Sequence, residues 1–160
     1  MAKKVTVRTF IQSVKKNRAA LEKAIASLDR KMLTRPGVTG KWSIKDILAH
    51  ITWFDREMVG ILEAKAFISS DLWSLPPDKR NAVIHKRAKP HSLEKVLAEA
   101  ERVYKALLLS LADLRDTDLH NPAAFPGMPD DWTPWEVIAG NTYDHYQEHL
   151  TDILTWLKTQ

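Results

Sequence analysis

The chain has 160 residues, of which 44% are apolar and 28% charged, and its formal net charge is +4. This size and balance predict a single domain over residues 1–160 and exclude a disordered chain, a fibrous protein and a small disulfide-stapled scaffold. Cysteine is absent, which excludes disulfides, thiolate nucleophiles and cysteine-bound metals, so any metal ligand must be a His, Asp or Glu side chain.

Two long amphipathic helices are predicted in the first 70 residues. In the first, apolar residues recur every three or four positions, which predicts a helix that begins near Thr6 or Thr9 and ends before a Pro–Gly pair. The second is predicted from about 44 to about 68. Ser43 and Asp46 have the spacing of a capping box at its start.

Two further long helices are predicted in the second half of the chain. Prolines in residues 70–91 leave room there only for a short helix, about Asp78 to Arg87. The third long helix is predicted from the N-cap Ser92 to about Arg115, and the last from the N-cap Thr133 to about Lys158. The pattern therefore predicts an all-α four-helix bundle with a crossover connection and a short extra helix between helices two and three.

The basic residues are concentrated at the start of the chain. Residues 1–41 hold 11 of the 24 Lys and Arg residues and two acids, so this segment carries +9 and the remainder −5. Such a segment could attract nucleic acid or another polyanion. We favour a solvated helix face that also attracts the acidic remainder of the molecule, because no nucleic-acid motif or aromatic interleaving accompanies the charges.

Three of the six histidines lie inside predicted helices: His50 in the second, and His145 and His149 in the last. Two His at i and i+4 project from one helix face with their Cβ atoms about 6 Å apart, so both rings can reach one divalent ion. Apolar neighbours predict that all three point into the bundle, where three imidazoles would leave one coordination position open. The competing interpretation is ordinary core histidines bonded to carbonyl groups.

Two acidic residues share these inward faces and are candidate catalytic residues. Glu57 follows His50 by two turns and is a candidate general base, while Asp152 is a candidate acceptor for an imidazole N–H. Asp144 and Glu148 are predicted to be solvated. Aromatic residues at the helix entries are predicted to pack between helices, and a secondary possibility is that they line a substrate mouth.

Three segments carry a resemblance to a known family: residues 40–51, 80–84 and 141–149. They resemble the DinB-like superfamily of four-helix bundles and, within it, the ClbS/DfsB branch. The resemblance implies that one His of the second helix and two of the last bind a divalent metal, zinc or nickel. The matching positions are His50, His145 and His149.

The resemblance also implies two activities. The first is metal-dependent transfer of a low-molecular-weight thiol, or hydrolysis, directed at small electrophilic or toxic compounds. The alternative is a metal-free ClbS/DfsB-like protection protein that binds or detoxifies a reactive small molecule. His149 favours the metal-binding members, because the ClbS/DfsB branch commonly has an aromatic–acid pair in this region.

The expected partner is therefore a small-molecule substrate, and nucleic acid is not favoured. No apolar run reaches the roughly 18 residues of a membrane span, and the basic start lacks the apolar stretch of a secretion signal. These features predict a cytoplasmic protein without membrane contact. Exposed aromatic residues make a homodimer a candidate assembly.

Overall fold

The computed structural model describes residues 3–160, and over that range the chain folds into helices joined by loops. The α-helices in chain order are α1 (Val7–Ile25), α2 (Arg30–Thr34), α3 (Ile44–Ala64), α4 (Pro77–Ala88), α5 (Leu93–Ala112), α6 (Pro134–Asn141) and α7 (Tyr143–Leu157). Short 3₁₀ turns lie at Asp71–Ser74, Asp116–His120 and Pro122–Ala124. None of the helices in these residues has both the length and the apolar composition that crossing a bilayer requires.

The long helices pack as a bundle. The most extensive contacts join α3 to α5 and α1 to α7, while α4 lies against α3. The predicted all-α four-helix bundle is confirmed, including the short extra helix between the second and third long helices, which is α4. A continuous core of apolar side chains fills the space between the long helices, and its fully buried members include Phe10, Ile47, Leu107 and Ile153.

The starts of the first two long helices follow their capping residues. Thr6 and Thr9 form a reciprocal capping box at α1, and Ser43 and Asp46 form the predicted one at α3. Each box satisfies backbone N–H groups that have no partner in the first helical turn. The predicted extent of the first helix was wrong, because α1 ends at Ile25 and α2 then follows as a separate short helix.

The predicted last helix is interrupted. It divides at Thr142, whose backbone (φ −125°, ψ −102°) is not helical, and α7 begins at the next residue. The fully buried Thr142 hydroxyl donates to the carbonyl of Ile138 at 2.7 Å, a side-chain bond of the kind that bends helices. Thr133 is the N-cap residue of α6, as predicted, but its side chain makes no cap bond. The predicted last helix is therefore two helices, α6 and α7.

Candidate metal centre

Three imidazoles from two helices meet at one point of the bundle. His50 lies on α3, and His145 and His149 lie one turn apart on α7. The Nε2 atom of His145 is 3.0 Å from that of His50 and 2.9 Å from that of His149. The structure therefore brings together the three residues that the sequence singled out, with potential ligand atoms that all lie within 4.8 Å of one another.

The helix faces explain this convergence. His50 belongs to the face of α3 that also carries the buried residues Ile47, Ile51 and Phe54, and only 4% of its surface is exposed. His145 is 8% exposed, whereas His149 is half-buried and lies nearest to solvent. The apolar pattern of each helix therefore directs the rings inward, and the i, i+4 spacing brings the two on α7 together.

Burial keeps these rings neutral. Desolvation, with smaller contributions from the neighbouring charges, lowers the pKa of His50 to about 3 and that of His145 to about 2. Burial also lowers the pKa of His149, and the nearby carboxylate of Asp152 partly offsets this. At neutral pH all three side chains are therefore uncharged imidazoles, the protonation state in which histidine binds metals.

The donor set fits a divalent cation. A neutral imidazole carries one N–H, so the Nε2 atom of His145 can donate to only one of its two close neighbours. The Nδ1 atoms of all three rings are buried without a hydrogen-bond partner in residues 3–160. If the protons reside on Nδ1, three Nε2 lone pairs face one another, and a single cation would accept all three. Zinc and nickel both accept imidazole nitrogen.

Neither of the two predicted catalytic acids forms a hydrogen bond with the three imidazoles in the described residues. Asp152 is half-exposed, and its Oδ2 atom is 3.9 Å from Nδ1 of His149, beyond hydrogen-bond distance. Glu57 instead accepts hydrogen bonds from the Trp73 indole N–H at 2.8 Å and from the Ser70 backbone N–H at 3.1 Å. Their catalytic roles remain predictions. Asp144 and Glu148 are exposed, as expected.

Aromatic side chains surround the histidine cluster. The Phe54 ring packs against both His50 and His145, with centroid distances of 4.8 and 4.6 Å. Trp42 packs edge-on against His50 at 5.1 Å and stacks on His85 at 5.0 Å. These rings restrict the approach of water to the imidazoles, which strengthens electrostatic interactions there.

A cleft of about 600 Å³ lies close to this aromatic wall. Its lining includes Met58, Phe67, Trp73 and Trp132. Trp73 also contacts Phe54 edge-to-face at 5.6 Å, so a single layer of aromatic rings connects the cleft with the histidine cluster. The volume and the apolar lining are typical of a small-molecule site.

A second buried polar cluster lies behind the histidines, and no motif in the sequence indicated it. The Tyr146 hydroxyl donates to Oδ1 of Asp55 at 2.7 Å, and Nη1 of Arg18 lies 3.6 Å from the other carboxylate oxygen. All three residues are buried. Desolvation raises the pKa of Asp55 to about 7, although Tyr146 and Arg18 oppose the rise. The one feature of the sequence that could have indicated this cluster is Arg18, a charged residue on the apolar face of α1, one turn from Leu21.

These features define a class of helical-bundle proteins with a three-histidine cluster between core helices. A family model for the DinB superfamily matches residues 13–153, and the chain belongs to that superfamily. The predicted resemblance is thereby confirmed. None of the curated proteins matches the chain.

Three solved structures have a similar fold. The colibactin self-resistance protein ClbS, crystallised in complex with dsDNA, has 16% sequence identity and a TM-score of 0.80, with 99% of both chains covered. DfsB, described as a sibling lethal factor precursor, has 12% identity and a TM-score of 0.81, with 99% of this chain and 98% of DfsB covered. An uncharacterised protein from Escherichia coli UTI89 has 17% identity and a TM-score of 0.74, covering 96% and 94%. At these sequence identities, the structural similarity is evidence for the fold of this chain alone.

Proposed function

We propose that this chain is a divalent-metal-binding protein that acts on small electrophilic or toxic compounds, as a thiol transferase or a hydrolase. His50, His145 and His149 would hold zinc or nickel. The observation that carries the proposal is the meeting of three neutral imidazoles, two of them buried, with the Nε2 atom of His145 about one hydrogen-bond length from those of His50 and His149.

The proposed reaction would divide its chemistry among the metal ion, the surrounding aromatic side chains and a thiol cosubstrate. A zinc or nickel ion bound by three imidazoles supplies Lewis-acid activation of a thiolate or a water molecule at its open position. Phe54 and Trp42 exclude bulk water from the imidazoles. Because the chain has no cysteine, the sulfur of a transferred thiol would have to come from a low-molecular-weight cosubstrate.

A metal-free protection protein is the second candidate. It is favoured by the similarity in fold to ClbS, which is described as a self-resistance protein, and by the aromatic cleft beside Trp73 and Trp132. In this alternative the cleft captures a reactive compound, and the imidazoles need not hold an ion. A chelator should abolish the activity of the metal-dependent protein, whereas it should leave capture by the metal-free protein unchanged.

Small molecules remain the proposed partners, although the ClbS crystal contains DNA. Two cations of the basic first segment pair with acids of the remainder: buried Arg18 faces Asp55, and Arg30 pairs with Glu94. Such pairing supports the interpretation that this segment attracts the acidic part of the same molecule. A homodimer also remains a proposal, for which the 44% exposure of Trp132 offers an apolar contact.

The proposed activity can be tested with untagged protein, the fluorogenic electrophile monochlorobimane and a panel of low-molecular-weight thiols. The thiolate sulfur forms a bond to the electrophilic carbon, and chloride leaves. Zinc- or nickel-loaded protein should accelerate conjugation with at least one thiol, or hydrolysis of p-nitrophenyl acetate. His149→Ala or removal of the metal should abolish the acceleration, since two imidazoles hold the ion poorly.

The matched control is His91→Ala, which makes the same side-chain change in the loop before α5. It should retain the full rate. An acceleration that persists unchanged in metal-free protein and in His149→Ala would reject the metal-dependent reaction and favour the metal-free protection protein. Rates equal to the protein-free blank with every thiol and with the ester would contradict the proposed activity.

A further inference from the structure

Arg80, on α4, is a guanidinium group without an acidic partner. Its side chain makes no hydrogen bond or ion pair with any residue in 3–160, and its Nε atom is shielded from solvent. A guanidinium is always charged and presents five N–H donors in a planar fork, so shielding its Nε–H without an acceptor is costly. The guanidinium therefore has N–H donors without an acceptor in these residues, and an external acceptor that reaches its Nη groups would satisfy them.

Aromatic rings hold this guanidinium in position. The Cζ atom of Arg80 lies 4.6 Å from the ring centroid of Trp73 and 5.9 Å from that of Phe54. Cation–π contacts of this kind fix the plane of the fork while leaving its N–H edge free to donate. Arg80 is therefore ordered before any ligand binds, which lowers the entropic cost of recognition.

The same aromatic ring connects Arg80 to the histidine cluster. Phe54 contacts the guanidinium on one side and the rings of His50 and His145 on others, at centroid distances of 4.8 and 4.6 Å. The positive charge of Arg80 also contributes to the lowered pKa of His50, so its field reaches the imidazoles. Phe54 would thus lie between a molecule bound to Arg80 and the proposed metal centre.

Glu57, the acid that bonds to Trp73, already has other partners. Glu57 accepts from the Trp73 indole N–H and from the Ser70 backbone N–H, both through Oε2. The ring face of Trp73 therefore contacts Arg80, and its indole N–H donates to Glu57. Glu57 forms no ion pair with Arg80, which leaves the guanidinium available for an anion that comes from outside.

We infer that Arg80 binds the carboxylate of a small organic acid, and that the compounds handled at the histidine cluster are organic carboxylates. The fork of a guanidinium matches the two oxygens of a carboxylate, and the rings of Trp73 and Phe54 suit an apolar or aromatic body. The inference deepens the proposed function and rests on it for the reaction. Recognition of the carboxylate itself does not require the metal.

The test uses benzoate as an aromatic carboxylate and inorganic phosphate as a non-carboxylate anion, titrated into metal-free wild-type protein by calorimetry. Benzoate should bind more tightly than phosphate. Arg80→Gln should weaken benzoate binding by about tenfold or more, the loss expected for a charge-assisted bidentate contact. Arg87→Gln, an equal charge change two turns along α4, should stay within about twofold.

The inference is overturned if Arg80→Gln binds benzoate as tightly as the wild type, if Arg87→Gln weakens binding equally, or if phosphate binds better than benzoate. If Arg80→Gln does not fold, Arg80→Lys is the deciding variant, because it keeps the positive charge and lacks the planar N–H donors of the guanidinium. It should bind benzoate about threefold or more weakly, and unchanged affinity overturns the inference.

The proposed metal centre and the proposed carboxylate site can be refuted independently of each other. Benzoate binding that depends on Arg80 in a protein unable to bind zinc would support the carboxylate site and reject the metal-dependent function. Tight zinc binding, together with a benzoate affinity that is the same in Arg80→Gln and in the wild type, would support the metal centre and reject the carboxylate site.

Discussion

Replacing His145 with alanine should lower the affinity of the protein for zinc by more than about 100-fold, beyond the effect of losing a residue that merely supports a ligand. His145 has the central position, since its Nε2 atom contacts those of both His50 and His149. Its loss would leave two imidazoles and no third protein nitrogen. Competition with a chromophoric chelator, starting from metal-free untagged protein, measures the affinity.

The control for this titration is again His91→Ala, because His91 lies outside the cluster and its substitution changes the histidine count equally. It should bind zinc like the wild type. His50→Ala should behave like His145→Ala even though the two residues are on different helices. Three equal affinities among wild type, His145→Ala and His50→Ala would mean that zinc binds elsewhere on the surface.

Replacing Arg18 with methionine should lower the free energy of unfolding at pH 8 by about 3 kcal/mol, the usual cost of removing one partner from a buried ion pair. At that pH Asp55 is ionised, because pH 8 lies above its pKa of about 7. Arg18 is the buried cation nearest to that carboxylate, with a separation of 3.6 Å. Urea unfolding followed by tryptophan fluorescence measures the change.

The same variant should be less destabilised at pH 5, where Asp55 is protonated in the folded protein and needs no cation. Asp55→Asn tests the protonation directly. Between about pH 4 and pH 7 the folded wild type holds one more proton at Asp55 than the unfolded chain does, so this residue makes stability fall as pH rises. Asp55→Asn should lack that fall, and parallel stability curves for the two proteins would show that Asp55 ionises normally.

The helices and the three histidines were accessible from the sequence because they depend on local periodicity. Apolar spacing and the Ser43–Asp46 box define α3, and the i, i+4 spacing places His145 and His149 on one face of α7. His50 could be added because its face is apolar. The break of the last helix at Thr142 was not predicted, because the helical spacing from Ile138 to His145 and His149 continues across that residue.

The polar partners of the candidate site depend on tertiary contacts. Arg18 on α1 and Asp55 on α3 are far apart in sequence and meet only when both helices have joined the same bundle. Likewise, Arg80 becomes significant only when α4 places it on Trp73 and beside Phe54. Periodicity indicates which face of a helix is inward, but it does not indicate which charge on a second helix will face it.

X-ray absorption spectroscopy at the zinc edge, on untagged protein loaded with one equivalent of zinc, would show the ligands of the ion directly. Our proposal predicts three imidazole nitrogens at about 2.0 to 2.1 Å and one further light atom. In His145→Ala the imidazole scattering should fall to two rings or disappear. A wild-type spectrum with no imidazole scattering, or one identical in His145→Ala, would contradict a metal centre formed by His50, His145 and His149.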